Sequence, residues 1–288
     1  MSAIRRKVRL KRRVVITGMG VVSPNGVGNA AFAEAVLTGR SGVRRISRFD
    51  SSDISVQIAG EVVDFNELAW VEKQERKHVS RVLPLAIAAS TEALSNAGID
   101  IASLTLDEKR RFGVILGSGG GSQEFTEEQY RLFFHQRYKQ MSLFCIPTGV
   151  MGTLSSELSV RFGLRGASHV VTSGCTSSTD AFGYSMRQIQ SGRLDVVLGG
   201  GADAPISLGI VKGFILMKIL TDSWNHAPQR ASRPFSVDRD GFVLAEGGFE
   251  SGDVAEGLFG HKVRRRQEER GVDAGAEYDS SDGCRYGK

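Results

Sequence analysis

Residues 170–181 carry the sequence V-V-T-S-G-C-T-S-S-T-D-A, in which an apolar pair leads through a glycine to a cysteine and then to small residues. The apolar side predicts a buried strand over 168–172, and the small residues predict a helix over 176–190. Cys175 therefore lies at a strand-to-helix turn. The unpaired N–H groups and the dipole of a helix N-terminus favour a negatively charged sulfur there.

Two interpretations of such a cysteine stay open from local sequence. A thiolate at a helix N-terminus is a strong nucleophile, and the strand–nucleophile–helix turn of hydrolases uses the same logic. A buried cysteine can also act as a small apolar side chain. For Cys145, in the run S-L-F-C-I-P at 142–147, packing is favoured, and Cys284 is given no role.

Strands and helices alternate on both sides of this turn, which predicts the α/β class. Predicted strands cover 13–18, 55–58, 111–117, 195–198 and 241–245. Predicted helices cover 29–38, 82–97 and 150–162, and residues 124–140 form a helix or lid. The glycine-rich loop at 117–121 lacks the patterns of a P-loop and of a dinucleotide fold, so it is predicted to give backbone room.

Composition narrows the class of protein. The chain has 288 residues, of which 41% are hydrophobic and 24% charged, as in ordinary globular proteins. Its three cysteines form no C-x-x-C pair, which disfavours a disulfide framework and structural zinc, so we expect a cytoplasmic protein. No apolar run reaches the length of about 20 residues that a membrane span needs, and no signal peptide is recognised.

The net charge of +5 comes largely from two basic runs, at residues 1–13 and near 261–270. Basic runs can bind nucleic acid or an acidic protein, but solvated tails have the same composition. No aromatic residue interleaves the first run, which disfavours nucleic-acid binding.

Five motifs extend the pattern beyond Cys175. They are R-V-V-I-T-G-M-G-V-V-S-P at 13–24, G-L-R-G at 163–166, T-S-G-C-T-S at 172–177, A-S-R-P-F at 231–235 and D-R-D-G-F-V-L-A-E-G at 238–247. In order and approximate spacing they resemble the β-ketoacyl-[acyl-carrier-protein] synthases of fatty acid and polyketide synthesis, over residues 13–248.

This resemblance implies a thiolase-like α-β-α-β-α sandwich built from two similar halves, of which the chain carries the first. Cys175 would take an acyl group from an acyl carrier protein as a thioester. Malonyl-carrier protein would then lose carbon dioxide, and its carbanion would attack that thioester. Backbone N–H groups, including that of Cys175, would hold the oxyanion.

The resemblance also implies the remaining features of the site. Phe144, Cys145 and Ile146 lie in the segment that lines the acyl pocket near a dimer interface. The implied partners are an acyl- or malonyl-carrier protein, which is acidic and suits a basic surface, and a second copy or another ketosynthase subunit. No cofactor and no metal are implied.

The pattern departs from the family after Gly248. The family's two histidines, in H-G-T-x-T and G-H motifs, belong to its second half, and none of His78, His135, His169, His226 and His261 lies in such a setting. We therefore expect a basic tail over 1–12, a ketosynthase domain over 13–248 and a divergent, poorly structured tail over 249–288. We hypothesise that the gene product is truncated by a reading-frame shift near the codon for Gly248, and sequencing of the downstream DNA tests this hypothesis.

The missing half predicts an exposed, apolar face on the domain and little condensation by the chain alone. Three other hypotheses stay open. A thiolase shares the fold. A chain-length partner of a ketosynthase also shares it but lacks the cysteine. The basic ends allow a nucleic-acid binder.

Overall fold

The computed structural model describes residues 12–255. Its strands are β1 (Val14–Ser23), β2 (Gly26–Val27), β3 (Val43–Arg45), β4 (Ile58–Gly60), β5 (Phe112–Gly117), β6 (Ser168–Val171), β7 (Val196–Asp203) and β8 (Gly247–Ala255). Its α-helices are α1 (Asn29–Leu37), α2 (Val82–Ala97), α3 (Leu106–Arg110), α4 (Gln123–Phe134), α5 (Cys145–Gly149), α6 (Thr153–Arg161), α7 (Ser177–Gln190) and α8 (Leu208–Leu216). Within this range no helix combines the length and the apolar character that crossing a bilayer requires.

A mixed sheet of six strands, in the order β2-β1-β8-β7-β5-β6, forms the centre of the domain. β7, β5 and β6 run parallel to one another, whereas β8 is antiparallel to both β1 and β7. A separate pair, β3 and β4, is antiparallel. Helices pack on both faces of the large sheet, which confirms the α/β class.

Helix α2 covers one face of the sheet and confirms the helix predicted over 82–97. Its residues are largely Ala, Leu and Ile, and it ends at Gly98, whose φ of 70° lies in the left-handed region. The helix can approach β1 closely because β1 carries glycine where they meet. A Cβ atom at Gly20 would lie 2.0 Å from the carbonyl oxygen of Ala89.

Helix α7 covers the opposite face. Ile115 on β5 and Val197 on β7 form a buried cluster there with Ala181 and Ile189 of the helix. The residues next to them along the strands, such as Leu116 and Leu198, belong to the core under α2. The alternation along each strand therefore separates two apolar layers, as expected for a sheet that is buried on both faces.

Several predicted strands differ from the structure. The strand predicted over 55–58 shares only Ile58 with β4. β7 does not end at residue 198 but continues through Gly199–Gly201 to Asp203. Gly200 lies against β8, and Gly201 lies against the start of α7. The strand predicted over 241–245 does not form. Only isolated bridges join Phe242 to Leu220 and Ala245 to Gly60.

A buried ion pair fixes the chain just before β8. Arg81 donates to both carboxylate oxygens of Glu246, at 2.7 Å each, and to the carbonyl oxygen of Val62 at 2.7 Å. Glu246 also accepts from the Val62 N–H at 2.9 Å. Because both charged groups are buried and multiply bonded, the end of the 238–247 motif is held at the start of helix α2.

Strand β8 corrects the expected start of the divergent tail. Residues 249–255 were expected to be poorly structured, yet they form most of a strand between β1 and β7. Backbone groups of the two neighbours pair with this strand whatever its side chains are, so composition alone misjudged it. The tail over 256–288 and the basic tail up to residue 11 lie outside the described residues.

Glu250 has an unfavourable position in this strand. Its side chain is fully buried, and neither carboxylate oxygen has a hydrogen-bond partner among the described residues. It lies opposite Gly20 on β1 and Gly200 on β7. Burial raises the pKa of Glu250 well above its ordinary value. The strand therefore occupies the centre of the sheet at a cost in stability.

We predict that Glu250→Val raises the free energy of unfolding by about 1–3 kcal/mol at pH 7, since it removes a buried polar group without partners. The raised pKa means that the native state keeps a proton which the unfolded state releases above pH ~4.5. Wild-type stability should thus fall as the pH rises above this value, and that loss should be absent in the variant.

Urea titrations at several pH values measure both effects. Glu34→Val makes the same chemical change at an exposed position on α1 and should leave stability nearly unchanged. Equal stability of Glu250→Val and wild type at pH 7 would contradict the buried position of Glu250.

Candidate active site

Cys175 lies where β6 passes into α7. β6 ends at Val171, residues Gly174–Thr176 form one 3-10 turn, and α7 begins at Ser177. The predicted strand–turn–helix arrangement is therefore confirmed, with Cys175 in the 3-10 turn that precedes the α-helix. Its side chain is exposed and its thiol is free. An exposed sulfur beside a helix N-terminus can be reached by a thioester.

Two residues define the path of the backbone around the sulfur. Gly174 has a φ of +73°, a left-handed conformation that favours glycine. The hydroxyl of Ser177 donates to the carbonyl oxygen of Gly174 at 2.6 Å and accepts from the Ser173 N–H at 3.0 Å. The buried Ser177 side chain therefore closes the turn that carries Cys175.

Helix α7 approaches the sheet unusually closely beneath the cysteine. A Cβ atom at Gly117, the last residue of β5, would lie 2.2 Å from the backbone carbon of Ser177. A Cβ atom at Gly201 on β7 would lie 2.0 Å from the Ser178 hydroxyl oxygen. Only glycine at both positions permits this contact, so the two strands determine the depth at which the first turn of α7 sits.

The glycine-rich loop after β5 is held by Asp203, at the end of β7. The Asp203 carboxylate accepts from the Ser118 hydroxyl at 2.8 Å and from the N–H groups of Gly119 and Gly120 at 2.8 and 2.9 Å. These donors are occupied within the protein, which agrees with a loop that gives backbone room. Sequence reasoning missed Asp203, whose only signal is an acidic residue directly after a glycine-rich strand.

The same loop connects the cysteine turn with the predicted acyl-pocket segment. A Cβ atom at Gly119 would lie 3.3 Å from the carbonyl oxygen of Gly174, and one at Gly121 would lie 3.1 Å from the Met151 side chain. Met151 follows α5, whose first residue is Cys145. The carboxyl ends of β5, β6 and β7 therefore gather these segments at one edge of the sheet, where open α/β folds bind ligands.

The three predicted pocket residues lie at the start of α5. Phe144 and Ile146 are exposed, and Cys145 is half-buried. The Phe144 ring packs edge-on against the ring of His78, with centroids 5.4 Å apart. His78 in turn hydrogen-bonds through Nδ1 to the Ser142 hydroxyl at 2.8 Å. The segment is thus positioned on one side and open on the other.

Two of the histidines are engaged with other side chains. His78 is engaged as described, and His226 stacks on Trp224 at 6.0 Å. His261 lies outside the described residues. Within residues 12–255, no group of three or more His, Cys, Asp or Glu side chains is arranged to hold a metal ion.

Two cavities of about 320 and 360 Å3 lie elsewhere in the domain, and both are lined by Pro24, Asn25, Arg40 and Ser41. Neither Cys175 nor the segment 144–146 lines them. The cysteine therefore stands on an open surface at the end of the sheet, apart from these cavities.

The family model for the N-terminal domain of β-ketoacyl synthases matches residues 11–249. A 3-oxoacyl-[acyl-carrier-protein] synthase 2 from Vibrio cholerae is 34% identical over 238 residues, covering 82% of this chain and 56% of that protein. A putative polyketide β-ketoacyl synthase 1 from Streptomyces halstedii is 36% identical over 246 residues, covering 83% of this chain and 57% of that protein.

Among solved structures, a type II polyketide ketosynthase in complex with its acyl-carrier protein superposes with a TM-score of 0.73 at 26% identity. The match covers 91% of this chain and 60% of that one. The chain therefore spans between 56% and 60% of the length of these three relatives.

We predict that Gly117→Ala lowers the free energy of unfolding by about 1–3 kcal/mol or more, because its methyl group would overlap the backbone of Ser177. Gly183 lies on α7, and a Cβ atom added there would have no heavy atom within 4 Å. Gly183→Ala should therefore stabilise the protein by about 0.5–1 kcal/mol. Guanidinium titrations compare the two, and equal effects would show that α7 does not pack on β5 as described.

Proposed function

This chain belongs to the β-ketoacyl synthase family, whose N-terminal domain it contains, and on that premise we propose that Cys175 is the acyl-accepting nucleophile of a condensing enzyme. The observation that carries the proposal is the exposed thiol of Cys175 in a turn between a parallel strand and the N-terminus of α7. That position exposes the sulfur to a substrate and provides N–H groups and a helix dipole beside it.

The proposed first step is transfer of the acyl group. The Cys175 sulfur attacks the carbonyl carbon of an acyl-carrier thioester, the oxyanion is held by backbone N–H groups, and the carrier thiol leaves with the proton. In the second step, malonyl-carrier protein loses carbon dioxide. The resulting carbanion attacks the Cys175 thioester, and a 3-oxoacyl chain two carbons longer leaves on the carrier as the Cys175 thiolate is released.

Only the first step is assigned to groups of the described domain. Loading needs a thiol and oxyanion donors, and the proposal assigns the thiol and one of the donor N–H groups to Cys175 itself. Decarboxylation needs the two family histidines, whose motifs do not occur in this sequence. We therefore infer that the chain alone accepts an acyl group weakly and condenses little, and that further protein supplies the histidines in a complete enzyme.

Exposed apolar side chains support this inference. Phe235 and Val237, next to the 238–247 motif, are 97% and 100% exposed, and Leu216 at the end of α8 is 83% exposed. Phe235 and Val237 are only two positions apart in the chain, and large apolar side chains that are exposed together usually lie against other protein. We propose that they pack against the second half of the condensing-enzyme fold when that half is present.

The proposed substrate carrier is an acyl carrier protein with an acyl or malonyl thioester. Lys73, Lys77, Arg137 and Lys139 are exposed, and they lie on the segments that the His78–Ser142 hydrogen bond holds together. Positive charge on this surface would attract an acidic carrier and speed its association. The acyl chain would then extend along Phe144, Cys145 and Ile146 towards the surface where we propose a second copy or another ketosynthase subunit.

A chain-length partner is the second candidate function. One solved relative, described as the ishigamide ketosynthase/chain length factor, superposes with a TM-score of 0.74 at 27% identity. An exposed cysteine in a nucleophile turn favours the condensing subunit instead, because a non-catalytic partner does not need a reactive thiol at this position.

We predict that the purified chain, incubated with an acyl-carrier thioester, gains the mass of one acyl group, and that peptide mapping places it on Cys175. Cys175→Ala should reduce this loading at least tenfold, because the described residues place no other thiol at the N-terminus of α7. Cys284→Ala removes a thiol to which no role is assigned, so it is the matched control and should retain loading. Equal loading of wild type and Cys175→Ala would exclude Cys175 as the nucleophile.

A further inference from the structure

Asp180 contacts both sides of the Cys175 turn. One of its carboxylate oxygens accepts a hydrogen bond from the Ser173 hydroxyl, two residues before the cysteine. The same oxygen lies 3.4 Å from the hydroxyl oxygen of Thr176, the residue after the cysteine. Asp180 is half-buried in the first turn of α7, whereas the residues from 172 to 176 are exposed.

These contacts complement those made by Ser177. Ser177 fixes the backbone of the turn from below, through the Ser173 N–H and the Gly174 carbonyl oxygen. On the exposed side, the Ser173 hydroxyl donates to Asp180, and the Thr176 hydroxyl lies 3.4 Å from both the Asp180 carboxylate and the Ser173 carbonyl oxygen. A single carboxylate that accepts from both hydroxyls therefore links the residues flanking Cys175 directly to the helix.

The charge of Asp180 makes this arrangement informative. A carboxylate near the turn repels a negatively charged sulfur, so its charge does not help Cys175 to act as a thiolate. Asparagine would keep an acceptor oxygen without the charge. Substitutions at position 180 can therefore separate the hydrogen bonds from the electrostatic effect.

We propose that Asp180 is a positioning residue for Cys175: by accepting from the hydroxyls of Ser173 and Thr176 it holds the turn in the geometry that presents the sulfur at the N-terminus of α7. The inference rests on the proposed function for its importance in acyl transfer. Its effect on the exposed thiol follows from the hydrogen bonds alone and can be measured without any carrier protein.

The test is the rate at which iodoacetamide alkylates Cys175 in the full chain at fixed pH, followed by peptide mass mapping. Asp180→Asn should react about two- to fivefold faster than wild type, because a nearby negative charge is lost while an acceptor is kept. Asp180→Ala should react about three- to tenfold more slowly than Asp180→Asn, because the hydroxyls lose their acceptor. Thr179→Ala, on the same turn and exposed, is the control and should match wild type.

A double-mutant cycle distinguishes positioning through the two hydroxyls from a general effect of position 180 on the fold. In the Ser173→Ala/Thr176→Ala background, replacing Asn by Ala at position 180 should change the alkylation rate less than twofold, since the hydroxyl donors are gone. Thermal unfolding is recorded for every variant. If Asp180→Ala does not fold, the Ser173→Ala/Thr176→Ala protein takes its place and should react more slowly than Thr179→Ala.

Equal alkylation rates of Asp180→Asn and Asp180→Ala would overturn the proposal, as would an unchanged Asn-to-Ala difference in the background without the hydroxyls. Acyl loading, measured in parallel, separates this proposal from the proposed function. Absence of loading in all variants, with the expected order of alkylation rates, would contradict the nucleophile assignment while leaving the role of Asp180 intact.

Discussion

The close approach of α7 to two glycine-bearing strands is the contact on which the candidate site depends. Gly117 and Gly201 remove the side chains that would otherwise stand between the sheet and the first turn of the helix. The facing residues of the helix, Ser177 and Ser178, are small enough to pack directly against the backbone of these glycines. Cys175 therefore stands at the end of the strands with its sulfur towards solvent, and its position is determined by packing that lies beneath it.

The parts of the fold that follow from local sequence were predicted well. The turn at Cys175 and helix α2 are encoded by nearby residues, whose apolar period and glycines indicate where each element begins and ends. Asp203 was missed, because its bonds to the loop after β5 span more than 80 positions in the chain. The assignments of Cys175 and of residues 144–146 to catalysis and binding stay predictions.

Strands β7 and β8 show why the remaining elements were harder to predict. Glycines 199–201 suggested the end of a strand, but in the folded domain Gly201 makes room for α7 and Gly200 makes room for β8. Residues 249–255 have the composition of a tail, and Glu250 is ill suited to a core. The backbone of these residues nevertheless pairs with β1 on one side and with β7 on the other. Tertiary context overrides propensity in both cases.

Hydrogen exchange of the purified full chain, followed by mass spectrometry, tests the central claim most directly, because it reports whether α7 and its strands fold as one unit. The account predicts that amides of residues 112–117, 177–190 and 196–203 are protected together and lose protection at the same denaturant concentration. Rapid exchange of residues 177–190 while both strands stay protected would contradict it, since the nucleophile turn would then have no fixed support.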